Sequence, residues 1–389
     1  MNSLQYDYTI VTAWYDVREK ENHPLKDQKT NDYFCTMDWY FESAKQLFNK
    51  PFPMVIYTEP RFKELILSAR PQMLHHITRF IFKDFEELAF YTHFNKYEQN
   101  HYLNPIVNLT AEKFTALYKF IVNQKVNFVR EVIQMNPFCT DKFGWMDMRL
   151  HCVYDMSIDE TDKVFALIHP ERVKIMQMAY THTDEIYGRQ NFYMGTRGKV
   201  AAGFFAGRAE PLLKFCELCQ KEFIDALNEN LAPTDEMIYS YVIAHNHSLF
   251  DPYSGNYGEC LKNLVRVRGS EYLAIGFLDR SYELGNHYYT WQTADGLRAG
   301  YLHNEISLSA ENLYKVWFFN YVANFWLNRH DYCKFVLREL YKISRQRKDV
   351  ENYIRGVRDF FIPMISYVND ESVIEPFRQI PPFATETSE

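Results

Sequence analysis

The first sixty residues carry the pattern that most limits the fold, a β-α-β arrangement. A short run rich in β-branched and aromatic residues, DYTIVTAWYDV at 7–17, precedes the helical stretch DYFCTMDWYFESAKQLFN, and FPMVIYT at 52–58 follows it. Two strands joined through a helix lie parallel, because a connection of that length crosses over the sheet. The chain therefore opens as an α/β protein.

Further apolar runs extend this pattern to about residue 262. The strand candidates are HITRFIF (76–82), FGWMDM (143–148), KVFALIH (163–169), RVKIMQM (172–178) and KVAAGFFAG (199–207). Helical stretches alternate with them, which predicts a Rossmann-like mixed sheet flanked by helices over residues 1–262. Residues 263–389 are predicted to form a helical C-terminal extension, with loops or short strands over 265–293 and a loose, proline-bearing tail from 371.

The overall composition argues against several classes of protein. The formal net charge of -7 disfavours a nucleic-acid surface as the main partner, and no segment reaches 18 uninterrupted apolar residues. Seven scattered cysteines do not suggest a disulfide framework and fit a reducing compartment. We therefore expect a cytoplasmic protein without an integral membrane segment. The sequence leaves open whether it forms a homo-oligomer.

An aspartate, Asp147, stands in a run of aromatic and apolar residues. A carboxylate in such a place must be neutralised, hydrogen-bonded or bound to a metal. Ligands of open α/β sheets lie beyond the carboxyl ends of the strands. Asp16 and Arg18 follow the first strand, Asp147 ends another, and the run Gly203–Gly207 ends a third, so we expect these segments to meet in one cleft.

The stretch from Thr110 to Met135 predicts one long helix with an apolar stripe. Lys125 falls on that stripe, four residues after Ile121 and three before Phe128. An ammonium group that faces the sheet needs a counter-ion, which would be a phosphate or a carboxylate in the cleft. The alternative is that its aliphatic stem carries the charge to the edge of the packed face.

The segment APTDEM predicts the start of another helix. Thr234 is a good N-cap, and Asp235 and Glu236 fall in the first turn, where the helix dipole favours carboxylates. This capping role would by itself explain the acidic pair. The glycines of the preceding GFFAG let a backbone approach a ligand closely, so the acids also qualify as groups that face the same site.

Five segments of the chain, taken together, carry a resemblance to a known family. They are YTIVTAWYDV (8–17), PMVIYTEP (53–60), NQKVNFVREVIQMNPFCTDKFGWMD (123–147), GFFAGRAEPLLKFCE (203–217) and PTDEMIYSYVIAHNHSLFDPYSGNYGE (233–259). In this order they resemble the HtrL/YibB (WlaTC) family, which is assigned to glycosyltransferases of the GT-A type. The C-terminal residues beyond 262 lie outside the resemblance.

The resemblance implies a GT-A-like sheet that binds a nucleotide sugar, with a D-x-D-like motif that holds Mn²⁺ or Mg²⁺ against the diphosphate. Here the motif is reduced to WMDMR at 145–149, with no second aspartate and with an arginine in place of the family's glycine. Asp147 is then the metal ligand, and Arg149 supplies part of the positive charge. His245 and His247 are candidates for a further ligand, of which we assign His247 to the metal. The alternative for either histidine is a purely structural role.

A shorter likeness links GFFAGRAEP and PTDEMIYSYV to retaining transferases of the blood-group type. It implies that Asp235 hydrogen-bonds hydroxyls of the transferred sugar and that Glu236 is the nucleophile or base. An inverting enzyme would use one of these carboxylates as general base on the acceptor hydroxyl, so both are assigned as catalytic. The residues assigned to the donor are Thr12, Ala13, Asp16, Arg18, Lys125, Trp145, Met146, Arg149, Gly203, Phe204, Phe205 and Gly207.

The chain is thus expected to be a glycosyltransferase that uses a nucleoside-diphosphate sugar as donor and a glycan or other hydroxyl compound as acceptor. Two alternatives stay open. One is a catalytically degenerate GT-A module that binds sugar nucleotide or glycan without turnover. The other is a metal-dependent phosphohydrolase, which needs three or more convergent carboxylates or histidines.

Overall fold

The computed structural model describes residues 6–17, 37–103, 115–148, 150, 158–183, 188–195 and 199–382. The chain divides into two compact units. One unit comprises Met1–Asp251 and Tyr257–Leu264 and contains the first six strands. The other comprises Pro252–Asn256 and Val265–Glu389, and its long elements are helices.

Seven strands of the described chain form one mixed sheet. They are β1 (Tyr8–Trp14), β2 (Met54–Thr58), β3 (Thr78–Phe82), β4 (Lys142–Met146), β5 (Val173–Gln177), β6 (Val200–Arg208) and β7 (Phe250–Tyr253). Their order in the sheet is β3-β2-β1-β4-β6-β5-β7. Strand β1 pairs in parallel with β2 and β4, β2 pairs in parallel with β3, and β6 is antiparallel to both β4 and β5. The predicted mixed α/β sheet is confirmed.

Helices flank this sheet. They are α1 (Met37–Phe48), α2 (Lys63–Ala69), α3 (Phe94–Leu103), α4 (Ala116–Val122), α5 (Lys125–Met135), α6 (Ile158–Ala166), α7 (Arg189–Gly195), α8 (Ala209–Asn228) and α9 (Asp235–His245). Strands β2 and β4 are buried at every residue, as expected for strands that are covered on both faces. Their unbroken apolar runs are the sequence signature of that position.

Two predicted elements of this unit are wrong. Residues 163–169 are predicted as a strand, but 163–166 form the last turn of α6 and 167–169 follow that helix. A short apolar run does not distinguish a buried strand from a buried helix. The predicted single helix of 110–135 is two helices, α4 and α5, with Asn123 and Gln124 between them. Thr115 caps α4 by accepting a hydrogen bond from Tyr118 N, while residues 110–114 lie outside the described part of the chain.

The order of the strands creates a switch point beside β1. From β1 the chain moves outward to β2 and β3, and it then returns to the opposite side of β1 to form β4. The connections after β1 and β4 therefore leave the sheet in opposite directions, which opens a crevice at the carboxyl ends of these two strands. Asp16 and Asp147 follow β1 and β4 at that edge.

The second unit is built from helices α10 (Glu271–Glu283), α11 (His287–Leu302), α12 (Ala310–Trp326), α13 (His330–Gln346), α14 (Lys348–Gly356), α15 (Arg358–Ser366) and α16 (Glu371–Arg378). The helical extension is confirmed. Of the predicted loops or short strands over 265–293, residues 265–270 do lie outside helices and strands, but most of the remaining residues belong to α10 and α11. The predicted loose tail from 371 begins with α16. Gly285, at a φ of +68°, makes the tight turn between α10 and α11 that the sequence suggested as a loop. Fully buried Trp317 belongs to the core of this unit. Residues 383–389 lie outside the described part.

A helix that crosses a bilayer needs about 20 consecutive, mostly apolar residues. No helix in the described part of the chain combines that length with that apolar character.

Candidate functional site

Asp147 begins the connection that leaves β4, directly beside the first residues of β6. The ladder between these strands pairs Met146 with Phe204, and one step further Asp147 N donates to Gly203 O at 2.8 Å. Trp145 Nε1 donates to Asp147 Oδ1 at 2.6 Å. The backbone and one carboxylate oxygen of Asp147 are thus fixed by β4 and β6, while 29% of its side chain is exposed.

Lys125, the first residue of α5, reaches across the crevice and contacts two aspartates. Its Nζ lies 3.0 Å from Asp147 Oδ1 and 2.8 Å from Asp235 Oδ2, and it donates to Ala202 O at 3.2 Å. Only 8% of its side chain is exposed, so it does not carry its charge out to solvent. An ammonium group has three hydrogens, and these three partners use them.

The charges of this cluster stabilise one another. Burial opposes the charged form of Lys125, yet the carboxylates of Asp147 and Asp235 outweigh burial and raise the pKa of Lys125 well above its usual value. Burial raises the pKa of Asp235, and the Lys125 ammonium opposes that rise. The structure therefore assigns Lys125 as the counter-ion of two acids, in place of the predicted direct contact with the diphosphate.

The start of α9 delivers the acidic pair to the same place. Thr234 has the extended backbone of an N-cap, but its side chain makes no capping hydrogen bond. Asp235 is buried, with 6% of its side chain exposed, whereas Glu236 is only half-buried. Of the two predicted catalytic acids, Glu236 is therefore the one that a substrate can reach.

Tyr257 is a residue of this site that the sequence reasoning missed. It begins a single 3₁₀ turn and is 42% exposed as a whole residue. Burial of its phenol raises its pKa well above the usual value, and the negative charges of Glu236 and Asp147 raise it further. The hydroxyl end thus lies among the site's charges while part of the residue faces solvent. A tyrosine in a run of turn-forming residues, YSGNYGE, was the available signal.

Gly203 and Gly207, the two glycines of GFFAG, lie at opposite ends of the paired segments of β4 and β6. A Cβ on Gly203 would lie 2.5 Å from Leu150 Cδ1 and 3.6 Å from Asp147 Oδ2, so a glycine at 203 lets Leu150 pack this closely against β6. Gly207 pairs with Phe143 at the opposite end of β4. The expectation that both glycines meet Asp147 is wrong, because β6 runs antiparallel to β4 and only its beginning reaches the crevice.

Several predicted donor residues are buried in the sheet. Phe204, Phe205 and Met146 are almost fully buried, so they form core and present no side chain to a ligand. Trp145 is also buried and acts on the site through its hydrogen bond to Asp147.

The remaining donor assignments lie along β1 or beyond the described residues. Thr12 is buried, and its hydroxyl has no hydrogen-bond partner in the described part of the protein. Ala13 and Asp16 are half-buried towards the carboxyl end of β1. Arg18 and Arg149 lie outside the described residues, so their predicted roles are not placed.

His247 contacts a different group of residues from those described around Asp147. Its Nε2 donates to Thr181 O at 2.8 Å, and its ring lies 5.2 Å from the Tyr180 ring and 6.1 Å from the His182 ring. Burial lowers the pKa of His247, and the electrostatic influences on it come from His182 and His245. These contacts are those of a structural histidine, so they do not support its assignment to the metal.

The described residues contain no group of three or more histidines, cysteines or acids placed to hold a metal. The phosphohydrolase alternative requires such a group. Mg²⁺ and similar ions also bind through one carboxylate together with substrate phosphates, and Asp147 suits that mode. Its Oδ2 accepts a hydrogen bond from Lys125 at 3.2 Å, and a carboxylate oxygen has a second lone pair that can bind a cation.

One comparison with known proteins identifies relatives of this chain. A family model described as "Bacterial protein of unknown function (HtrL_YibB)" matches residues 6–264, which includes every site residue above. No curated protein matches the chain.

Proposed function

This chain belongs to the HtrL_YibB family, and we propose that it is a glycosyltransferase. It moves a sugar from a nucleoside-diphosphate donor to a hydroxyl of a glycan or related acceptor. The observation that carries this proposal is the convergence of Asp147, Lys125 and Asp235 at the carboxyl ends of β1 and β4, with Glu236 next to Asp235. Open α/β sheets bind their ligands at such a switch point.

The charge of the cluster supports a cation-assisted donor site. The side chains of Asp147, Asp235, Glu236 and Lys125 together carry a formal charge of about −2, which repels a diphosphate unless a cation lies between them. Asp147 would hold Mn²⁺ or Mg²⁺ through Oδ2, with phosphate oxygens and water as the other ligands. When bound, the ion stabilises the negative charge that develops on the leaving diphosphate.

Glu236 is the carboxylate that we assign to the reacting sugar. In the inverting reaction the acceptor oxygen forms a bond to the anomeric carbon, the bond from that carbon to the diphosphate breaks, and the acceptor proton moves to Glu236. In the retaining reaction Glu236 itself would attack the anomeric carbon while the bond from that carbon to the diphosphate breaks. The acceptor oxygen would then displace Glu236 and pass its proton to the released diphosphate. The anomeric configuration of the product distinguishes the two.

One observation favours a second candidate, a module that binds sugar nucleotide or glycan without turnover. Lys125 neutralises part of the charge of both Asp147 and Asp235, and a buried ion cluster of this kind also occurs for structural reasons. Such a module would bind donor with no dependence on Mn²⁺ and would release no nucleotide from it.

The experiment that tests the proposal is a screen of nucleotide sugars by thermal shift, with and without Mn²⁺, followed by an assay of nucleotide release. A donor that binds the folded state raises the melting temperature by mass action. We expect one class of nucleoside-diphosphate sugar to stabilise the protein more strongly with Mn²⁺ and to be consumed when acceptor is added. Binding without any consumption would favour the non-catalytic module.

The location belongs to the same proposal. We assign the activity to the cytoplasm, where a reducing environment keeps cysteines free. Cys139, Cys216, Cys219, Cys260 and Cys333 are free in the described chain, which supports that assignment.

A further inference from the structure

The ion pair between Lys125 and Asp235 joins two elements that meet only at the crevice. Lys125 is the first residue of α5, and Asp235 is the first residue of α9. The pair is almost completely buried, at a distance of 2.8 Å. Because Thr234 supplies no side-chain cap, the contacts that fix the beginning of α9 include this ion pair.

We propose that Lys125 is a positioning residue, which acts through Asp235 to hold the first turn of α9 and thereby Glu236 in place for the transfer. This inference rests on the proposed function for its catalytic part. We assign Lys125 no direct contact with the donor or with the transferred sugar. It links the residue that faces the diphosphate, Asp147, to the helix that carries the reacting carboxylate.

The geometry of the ammonium group supports a positioning role over a binding role. Its Nζ lies within 3.2 Å of oxygens of Asp147, Asp235 and the Ala202 carbonyl, so a phosphate would have to displace one of these partners. Displacing Asp235 would leave a buried carboxylate unpaired, and breaking a buried ion pair in this way is strongly destabilising. Lys125 is therefore held by the protein itself.

Loss of the ammonium group has a defined consequence for Asp235. Without Lys125, burial acts on that carboxylate unopposed, and its pKa rises further above the usual value. At neutral pH the side chain then takes up a proton or moves towards water. Either change releases the first turn of α9, and a displacement of about 1 Å of a catalytic group can cost on the order of 100-fold in rate.

The catalytic test compares Lys125→Met and Lys125→Arg with the unmodified enzyme. Lys125→Met should lower kcat by roughly 10- to 100-fold at neutral pH, with a donor KM within about threefold of the original. The acidic limb of its pH profile should move to higher pH. Lys125→Arg keeps the charge and should retain the original profile. A Lys125→Met profile that coincides with that of the unmodified enzyme overturns the proposal, and so does a loss confined to donor affinity.

Lys174→Met is the matched control, because Lys174 is the partner of buried Asp251 at 3.1 Å. Removal of that ammonium should destabilise the protein to a similar degree while leaving the pH profile of the transfer unchanged. An equal shift in this variant would mean that any buried lysine produces the effect, and it would overturn the assignment.

A second measurement does not depend on catalysis. In Lys125→Met the folded-state pKa of Asp235 should lie above its unfolded value, so the free energy of unfolding should decrease as the pH rises above about 4, the pKa of Asp in the unfolded chain. The double variant Lys125→Met with Asp235→Asn should lose that pH dependence. If the unmodified protein consumes no nucleotide sugar, the proposed function fails, and this stability series still decides whether the pair is coupled. If the free energy of unfolding depends on pH in the same way in the single and double variants, the proposed coupling between Lys125 and Asp235 is overturned.

Discussion

Trp145 Nε1 and Asp147 Oδ1, two residues apart at the end of β4, are joined by a hydrogen bond of 2.6 Å. The indole fixes the orientation of a carboxylate that the strand alone would leave free to rotate. It occupies Oδ1, whereas Lys125 contacts both carboxylate oxygens, Oδ1 at 3.0 Å and Oδ2 at 3.2 Å. Trp145 therefore leaves Oδ2 as the carboxylate oxygen that we assign to the cation.

The first prediction concerns Asp147 itself. Asp147→Asn keeps the shape of the side chain and its acceptor for Trp145, but it removes the charge and one oxygen. We expect donor affinity in the presence of Mn²⁺ to fall by at least about tenfold, which corresponds to ~1.4 kcal/mol. The fold should persist, because Lys125 keeps Asp235 as its partner. Calorimetric titration of the donor measures the change.

Asp141→Asn is the control for this variant, since Asp141 is an exposed residue just before β4, at the end remote from Asp147, and pairs with Arg208. It should bind donor normally. Equal donor affinity in Asp147→Asn and the unmodified protein would remove Asp147 from the donor site. Unfolding of Asp147→Asn would instead identify it as a structural hydrogen-bonding centre.

The second prediction separates chemistry from binding. Glu236→Gln removes the reacting carboxylate without shortening the side chain, so kcat should fall by about 10²- to 10⁴-fold while donor affinity stays near its original value. Glu210→Gln is the matched control for Glu236→Gln, because Glu210 lies in the first turn of α8 and Glu236 lies in the first turn of α9. Transfer by Glu236→Gln at the original rate would show that another group performs the chemistry.

The third prediction tests the close packing of Leu150 against Gly203, next to Asp147. Gly203→Ala places a methyl group 2.5 Å from Leu150 Cδ1, so Leu150 must move and the free energy of unfolding should fall by about 1 to 3 kcal/mol. Donor affinity should fall with it, since the new methyl also lies 3.6 Å from Asp147 Oδ2. Gly276→Ala in α10 meets no neighbour and should instead stabilise the protein by up to about 1 kcal/mol. In urea denaturation we expect the free energy of unfolding to fall in Gly203→Ala and to rise in Gly276→Ala. Changes of the same sign in the two variants would contradict the prediction.

The fourth prediction concerns a buried arginine in the sheet unit. Arg70 donates to the carbonyls of Phe48 at 2.8 Å, Lys50 at 3.1 Å and Phe52 at 2.7 Å, and burial lowers its pKa to about 10. Arg70→Lys cannot reproduce a planar group with five donors, so unsatisfied carbonyls should cost about 2 to 4 kcal/mol of stability. Arg79→Lys on exposed β3 should change stability by less than about 0.5 kcal/mol. Similar denaturation midpoints for both variants would show that the carbonyls find other donors.

The sequence predicted the parts of this protein whose cause is local. Mostly apolar runs identified β1 to β6. Strands β1, β2 and β4 are almost entirely buried, and strands that are covered on both faces need mostly apolar side chains. The place of Asp147 at the end of such a run already indicated that it needs a partner. The same local reasoning failed for residues 163–169, where a short apolar run fits a buried helix as well as a buried strand.

Only the tertiary structure decided which residues meet. The antiparallel direction of β6 brings Gly203 to Asp147 and takes Gly207 away, and no local pattern fixes the direction of a strand. The sequence showed that Lys125 needed a counter-ion, but Asp147 and Asp235 lie 22 and 110 residues further along the chain. Contacts over such separations depend on how whole elements pack, because the free energy of burying their apolar faces sets the positions of the few charged groups between them.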